Sequence, residues 1–173
     1  MADETEGKLI HAFEAEDEFD HWQVINDTVM GGVSKATFEP GDEGTAVFSG
    51  TVSLENSGGF ASVRSKPAEH GLSDQAGLAI RVKGDGRKYK LSLRQDGRRD
   101  GVMYQAPFEA PANEWVVVQL PFERFVATYH GQAVDNAPEV QADRLRSVGF
   151  LISDKQAGPF RLQIDWIRAY TDR

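Results

Sequence analysis

The sequence predicts an all-β domain of two packed antiparallel sheets, and three observations lead there. About ten short stretches alternate apolar and polar residues, the period of a strand with one buried face. Gly, Pro, Asn and Asp punctuate those stretches at short intervals, as tight turns require. No helical period persists anywhere along the 173 residues. Together these describe a β-sandwich.

Residues 1–8 read as a disordered tail, and residues 9–173 as a single domain of a size that buries a real core. Leu9 to Phe13 makes a first short strand. An acidic connection over residues 14–20 follows, anchored to the core by Phe19 and Trp22. Ser34 to Glu39 alternates and stops at Pro40-Gly41. Thr45 to Ser49 continues into Thr51 to Leu54 across Gly50, which reads as a bulge. Phe60 to Ser65 is stopped by Pro67, and Leu72 to Gln75 forms a turn. Gly77 to Lys83 and Tyr89 to Arg94 are two strands of a hairpin closed by Gly84-Asp85-Gly86-Arg87. Val102 to Phe108 and Trp115 to Leu120 follow, the latter ended by Pro121. Phe122 to Thr128 is the most helical or irregular stretch. Ser147 to Ile152 is a buried strand. Gly158 to Tyr170 alternates through Phe160, Leu162, Ile164 and Trp166, long enough to run through the centre of a sheet.

Composition excludes several functions. With 27 acidic and 19 basic residues the formal net charge is −8. Nonspecific nucleic-acid binding needs clustered positive charge, so nucleic acid is not an expected partner. Arg94, Arg98 and Arg99 read as a solvated turn. The absence of cysteine rules out disulfides and thiolate metal sites. The acidic start, Met1 to Glu6, resembles neither a secretory signal nor a mitochondrial presequence, and no apolar run is long enough to span a bilayer. The expectation is a soluble cytoplasmic protein without membrane insertion.

A search for catalytic chemistry yields none. Histidines at 11, 21, 70 and 130 lack helical metal spacing and read as surface or satisfied core residues. Gly84 to Tyr89 opens like a dinucleotide fingerprint, but it joins two strands and offers a phosphate no helix N-terminus. Gly32-Val33-Ser34-Lys35-Ala36 lacks the last glycine of a nucleophile elbow and leads into a strand. Asp96 to Gly101 reads as a charged turn, because Arg98 and Arg99 would repel calcium; a structural calcium held by distant loops stays open. No catalytic residue, cofactor or metal ligand is assigned.

One stretch stands apart, Trp22 to Arg64. It opens on Asn26-Asp27-Thr28-Val29-Met30-Gly31-Gly32-Val33-Ser34 and closes on Asn56-Ser57-Gly58-Gly59-Phe60, with Arg64 at its end. Each half sets short polar residues beside a glycine pair, a composition that holds a loop in one shape. An architectural reading makes both halves crossovers between sheets. A functional reading makes them a rigid polar binding surface of Asn26, Asp27, Val29, Met30, Gly31, Gly32, Ser34, Asn56, Gly58, Gly59, Phe60 and Arg64. Val29 and Met30 would supply apolar contact, and an Asp27–Arg64 ion pair would fix register.

These residues resemble the complex I intermediate-associated protein 30 family. The likeness lies in the Trp22–Ser34 stretch, Phe48-Ser49-Gly50, residues 56–64, and Gly84 to Tyr89. It continues in Glu114-Trp115, Leu120-Pro121-Phe122, Phe125, Gly149 to Gln156 and Gly158-Pro159-Phe160. It extends over about residues 10–170. The resemblance implies a jelly-roll sandwich similar to galactose-binding and carbohydrate-binding modules. It also implies a non-enzymatic assembly factor whose partners are subunits of a membrane-associated respiratory complex. A free-standing member of this kind looks bacterial. The alternative is a carbohydrate-binding module, which would present an exposed aromatic ring from Tyr104, Trp115, Tyr129 or Trp166. Trp115 and Trp166, however, lie in apolar strands and are expected to face the core.

Overall fold

The computed structural model describes residues 8–26, 35–54, 59–95, 102–129, 132–134, 139–153 and 156–171. The strands are β1 (Lys8–Ala12), β2 (Trp22–Asn26), β3 (Lys35–Pro40), β4 (Ala46–Val52), β5 (Ala61–Ser65), β6 (Gly77–Lys83) and β7 (Lys88–Arg94). They continue with β8 (Met103–Glu109), β9 (Trp115–Pro121), β10 (Val126–Tyr129), β11 (Gln132–Ala133), β12 (Ser147–Ile152) and β13 (Gly158–Tyr170). They form two antiparallel sheets. One runs β3-β4-β13-β6-β9, with β1 also paired to β13; the other runs β11-β10-β8-β7-β12-β5-β2. The expected sandwich is therefore the observed fold.

The inward face of each strand is set by alternation. β5 buries Ala61, Val63 and Ser65 and turns Ser62 and Arg64 outward. β13 is the central strand: β4 pairs with its first half, β1 with its second, and β6 with the opposite edge. Phe48, Phe150, Tyr89, Leu91, Leu93 and Leu162 fill the space between the sheets, and Tyr89 stacks on Phe108.

Four local expectations are corrected. A bulge interrupts the β13–β6 register between Ile164 and Trp166. It moves the buried set from Phe160, Leu162 and Ile164 to Ile167 and Ala169, so Trp166 lies opposite Arg81 on the outer face with the Arg168 guanidinium over its ring at 4.7 Å. Trp115 also faces outward, opposite Lys83. Gly50 is not a bulge: β4 runs through it in register with Ala36. A side chain there would run into the Lys35 carbonyl, so close approach of β3 explains the glycine. Phe122–Arg124 is a 3₁₀ turn, but Val126–Tyr129 is strand.

Candidate functional site

Of the expected binding residues, Asp27, Val29, Met30, Gly31, Gly32, Ser34, Asn56 and Gly58 lie outside the described residues, as does any Asp27–Arg64 contact. The ends of the strands around them are described. β2 finishes at Asn26 opposite Ala61, the first residue of β5, while β3 starts at Lys35 opposite Thr51, one residue before the end of β4. The two glycine-rich segments therefore each connect one sheet to the other at the same end of the sandwich. Gly59 has φ +138°, a region that favours glycine, and Phe60 is half-buried. Arg64 lies opposite Gln23, three residues along β5 from Ala61, about 10 Å from the loop end.

Arg64 belongs to a row of cross-strand neighbours on the outer face of the seven-stranded sheet: Gln23, Arg64, Gly149, Ser92, Gln105 and Val126. A side chain at Gly149 would meet the Val63 carbonyl, so the row has a low point between Arg64 and Ser92. Flanking rows bring Lys90 beside Leu151 and Arg94 beside Met103, whose sulfur accepts from Gln105 Nε2 at 3.9 Å. Ser92 is 8% and Leu151 9% exposed although both face outward. This floor is a trough with cationic walls on a chain of net charge −8. None of the residues in these rows is aromatic.

The outer face of the other sheet holds a polar hollow of about 340 Å³ lined by Asp42, Glu43, Arg81, Lys83, Trp115 and Asp165, with Thr45 and Gln163. Arg81 donates to Asp165 at 2.8 Å, and its guanidinium lies 4.6 Å from the Trp115 ring centre, with Lys83 Nζ at 5.4 Å. Both cations sit on the ring that a sugar would need. Tyr104 is a core residue, while Tyr129 is exposed at the end of β10.

Two polar clusters that sequence reading left scattered come together here. His11 Nδ1 lies within hydrogen-bond distance of Glu18 Oε1, at 2.6 Å, and Trp22 Nε1 donates to the same oxygen. The His70 ring stands edge-on to His11, with centres 5.8 Å apart, and its Nε2 lies 3.2 Å from the Arg146 carbonyl. Burial lowers the pKa of both histidines. Their distance in sequence hid this pairing; β1 and the chain after β5 bring them together. His11 was expected to be a surface or a satisfied core residue; it lies in the core region with its Nε2 buried and without a hydrogen bond. The second cluster centres on Asp85. Its carboxylate accepts from the Tyr89 hydroxyl and from the amides of Arg87 and Arg161. Arg87 donates to the carbonyls of Gln156 and Ala157. Gly84 to Tyr89 is thus a clamp joining the β6–β7 turn to the start of β13. Among the described residues no group of three or more His, Asp or Glu converges for a metal.

A family model described as complex I intermediate-associated protein 30 matches residues 11–164. The mitochondrial complex I intermediate-associated protein 30 of Mus musculus is 29% identical over 96% of this chain and 57% of its own length. The Drosophila melanogaster protein of that name is 26% identical over 94% and 62%. The chain thus spans somewhat over half the length of these relatives. Among solved structures, the family 11 carbohydrate-binding module of a cellulosomal cellulase from Clostridium thermocellum superposes with a TM-score of 0.74. It has 16% identity over 96% of this chain and 95% of that one. An exo-beta-agarase matches with a TM-score of 0.60 and 9% identity over 97% of this chain and 26% of its own. These structural likenesses establish the fold.

Proposed function

This chain belongs to the complex I intermediate-associated protein 30 family, and from that membership we propose that it is a non-enzymatic protein-binding module helping to assemble a larger, respiratory-type complex. The observation behind the proposal is the extent of the match: residues 11–164 take in every strand of the sandwich except the start of β1 and the second half of β13. The family's role, on this reading, resides in the sandwich itself. The names of the mouse and fly relatives tie them to complex I, and the partners proposed here are subunits of such a complex.

The proposed binding surface is the trough around Arg64 together with the segments rooted at Asn26 and Gly59. Three observations support it: four strand ends gather there, the floor is recessed, and Arg64, Lys90 and Arg94 concentrate positive charge on an acidic protein. Met103 adds an adaptable apolar contact. Among the described residues no helix is long and apolar enough to cross a membrane. Cytoplasmic residence is part of the proposal, and a fluorescent fusion imaged against a mitochondrial marker tests it.

The test is affinity purification of the tagged chain from its host, with mass spectrometry, beside an Arg64→Ala variant. Respiratory-complex subunits should be recovered with the wild type and depleted with the variant. Recovery of no such subunit with the wild type overturns the reading. The carbohydrate alternative draws on the fold shared with the cellulase module. Calorimetric titration with β-glucan oligosaccharides tests it, and saturable heat would favour it.

A further inference from the structure

We propose that β9 is a docking edge for a second copy of this chain, the two β9 strands pairing antiparallel about a twofold axis through Val117. β9 ends the six-stranded sheet and pairs only with β6 among the described strands. The Phe122 amide donates to the Ala76 carbonyl, and Leu120 lies opposite Leu78. In an antiparallel ladder this phase turns the backbone groups of Val116, Val118 and Leu120 toward β6 and those of Trp115, Val117 and Gln119 away from it. Pro121 falls in the outward phase, where a missing N–H costs the ladder nothing. Among the described residues, no hydrogen bond is made by the outward N–H and C=O groups of Trp115, Val117 and Gln119.

Sheet edges are ordinarily guarded by charge, proline, brevity or a cover. β3 carries Lys35, Glu39 and Pro40, and β1 carries Lys8. β11 has two residues. β2 is covered at Trp22, whose ring lies 5.0 Å from Phe38 of β3. β9 has none of these between Trp115 and Leu120: Trp-Val-Val-Val-Gln-Leu is uncharged and rich in β-formers, the composition most prone to add a strand.

The edge is complementary to itself. With the axis through Val117, Trp115 faces Gln119 of the second copy and Val117 faces its twin, so every outward group between them finds a partner. On the inner side Val116 lies beside Val118 of the second copy, closing the core at its half-open edge. On the outer side each indole lies beside an amide, with no charge opposite a like charge. One strand pair buries less than the roughly 1,000 Å² of a stable interface. The net charge of −8 on each copy opposes association. The dimer is therefore weak, concentration-dependent and strengthened by salt.

Sedimentation velocity on the full chain over a wide concentration range, at low and high salt, tests this. The wild type should pass from monomer to dimer, at lower concentration in high salt. Val117→Glu sets like charges across the axis while Arg81 lies beside it within its own copy. It should raise the dissociation constant at least about tenfold with an unchanged melting curve. As the chain has no cysteine, Val117→Cys carries a single thiol. In the proposed register its Cα lies about 5.5 Å from its twin, within disulfide reach. It should cross-link faster on oxidation than Glu123→Cys on the exposed turn after β9. A wild type that stays monomeric at all concentrations overturns the proposal. So does a folded Val117→Glu protein that dimerises as well as wild type, or equal cross-linking at the two positions.

Discussion

The Tyr89 hydroxyl donates to the carboxylate of Asp85, four residues earlier, at 3.0 Å from each oxygen. Tyr89 is 1% exposed, and its phenol reaches out of the core only at this end. Burial first, and then the Asp85 charge, raise the phenol pKa far beyond its usual range, so the hydroxyl remains a donor at every working pH. Asp85 also receives the Arg161 amide at 2.7 Å, which ties the β6–β7 turn to the central strand.

Asp85→Ala strands the buried hydroxyl and releases the Arg161 amide, so it should cost about 1–3 kcal/mol. Tyr89→Phe leaves Asp85 with its two backbone donors and should cost less, about 0.5–1.5 kcal/mol. Urea unfolding of the two variants checks the order. Equal losses would mean that the backbone donors contribute nothing.

The second prediction concerns pH. His11 is held below its ordinary value of 6.5 mainly by burial, against the opposing pull of Glu18; nearby His21 lowers it further. His70 is lowered by burial, then by His11, with Lys8 and Arg146 adding to the effect against the Arg146 carbonyl. In both cases the folded state binds fewer protons than the unfolded chain. Stability is then full above pH 6.5 and falls as pH drops through the lowered folded-state values. Thermal melts from pH 8 to 5 should show a decline beginning near 6.5, and His70→Asn should flatten it. A melting temperature constant through that window would refute the coupling.

The fold was legible because most strands alternate cleanly and end at turn residues, as Gly77–Lys83 does to the residue. What failed was phase. β9 reads Trp-Val-Val-Val, so nothing in it says which face is inward; its pairing with β6 decides, and Trp115 goes out. In β13 the bulge after Ile164 breaks an alternation that looked continuous through Trp166. β2 and β10 were missed for a related reason. Trp22 and Val24 share an inward face with too few neighbours to show a period, and β10 turns small Ala127 inward. The candidate surface was legible only as composition. Alternation in β5 correctly sends Arg64 outward, but the trough depends on cross-strand partners that no single stretch of sequence displays.

Gly50 offers a direct test of one such partner. Gly50→Ala drives a methyl into the backbone of β3, which cannot yield as a flexible side chain would. The expected cost is about 1–3 kcal/mol, as for overpacking elsewhere. Were Gly50 merely a flexible link, alanine would stabilise the protein slightly. The sign of the change in chemical denaturation separates the two.

The last prediction is about Arg64. It faces outward from β5, half-buried, between Gln23 and Gly149. Neither neighbour is acidic, and the glycine leaves room for its carbon stem. Replacing it should barely disturb folding: an outward pair of this kind is worth about 0–1 kcal/mol. Its proposed importance lies in recognition, where a planar, bidentate donor fixes a carboxylate in register. Asp27 follows β2 immediately after Asn26, whose backbone pairs with Ala61, three residues from Arg64. Hence Asp27→Ala and Arg64→Ala should each keep the wild-type melting curve and lose the native partner. A double-mutant cycle on partner affinity should show coupling, because the two side chains act as one unit. Strictly additive losses would sink the pairing and leave Arg64 as an independent contact. Undiminished partner recovery with both alanines would remove this end of the sandwich from the binding surface.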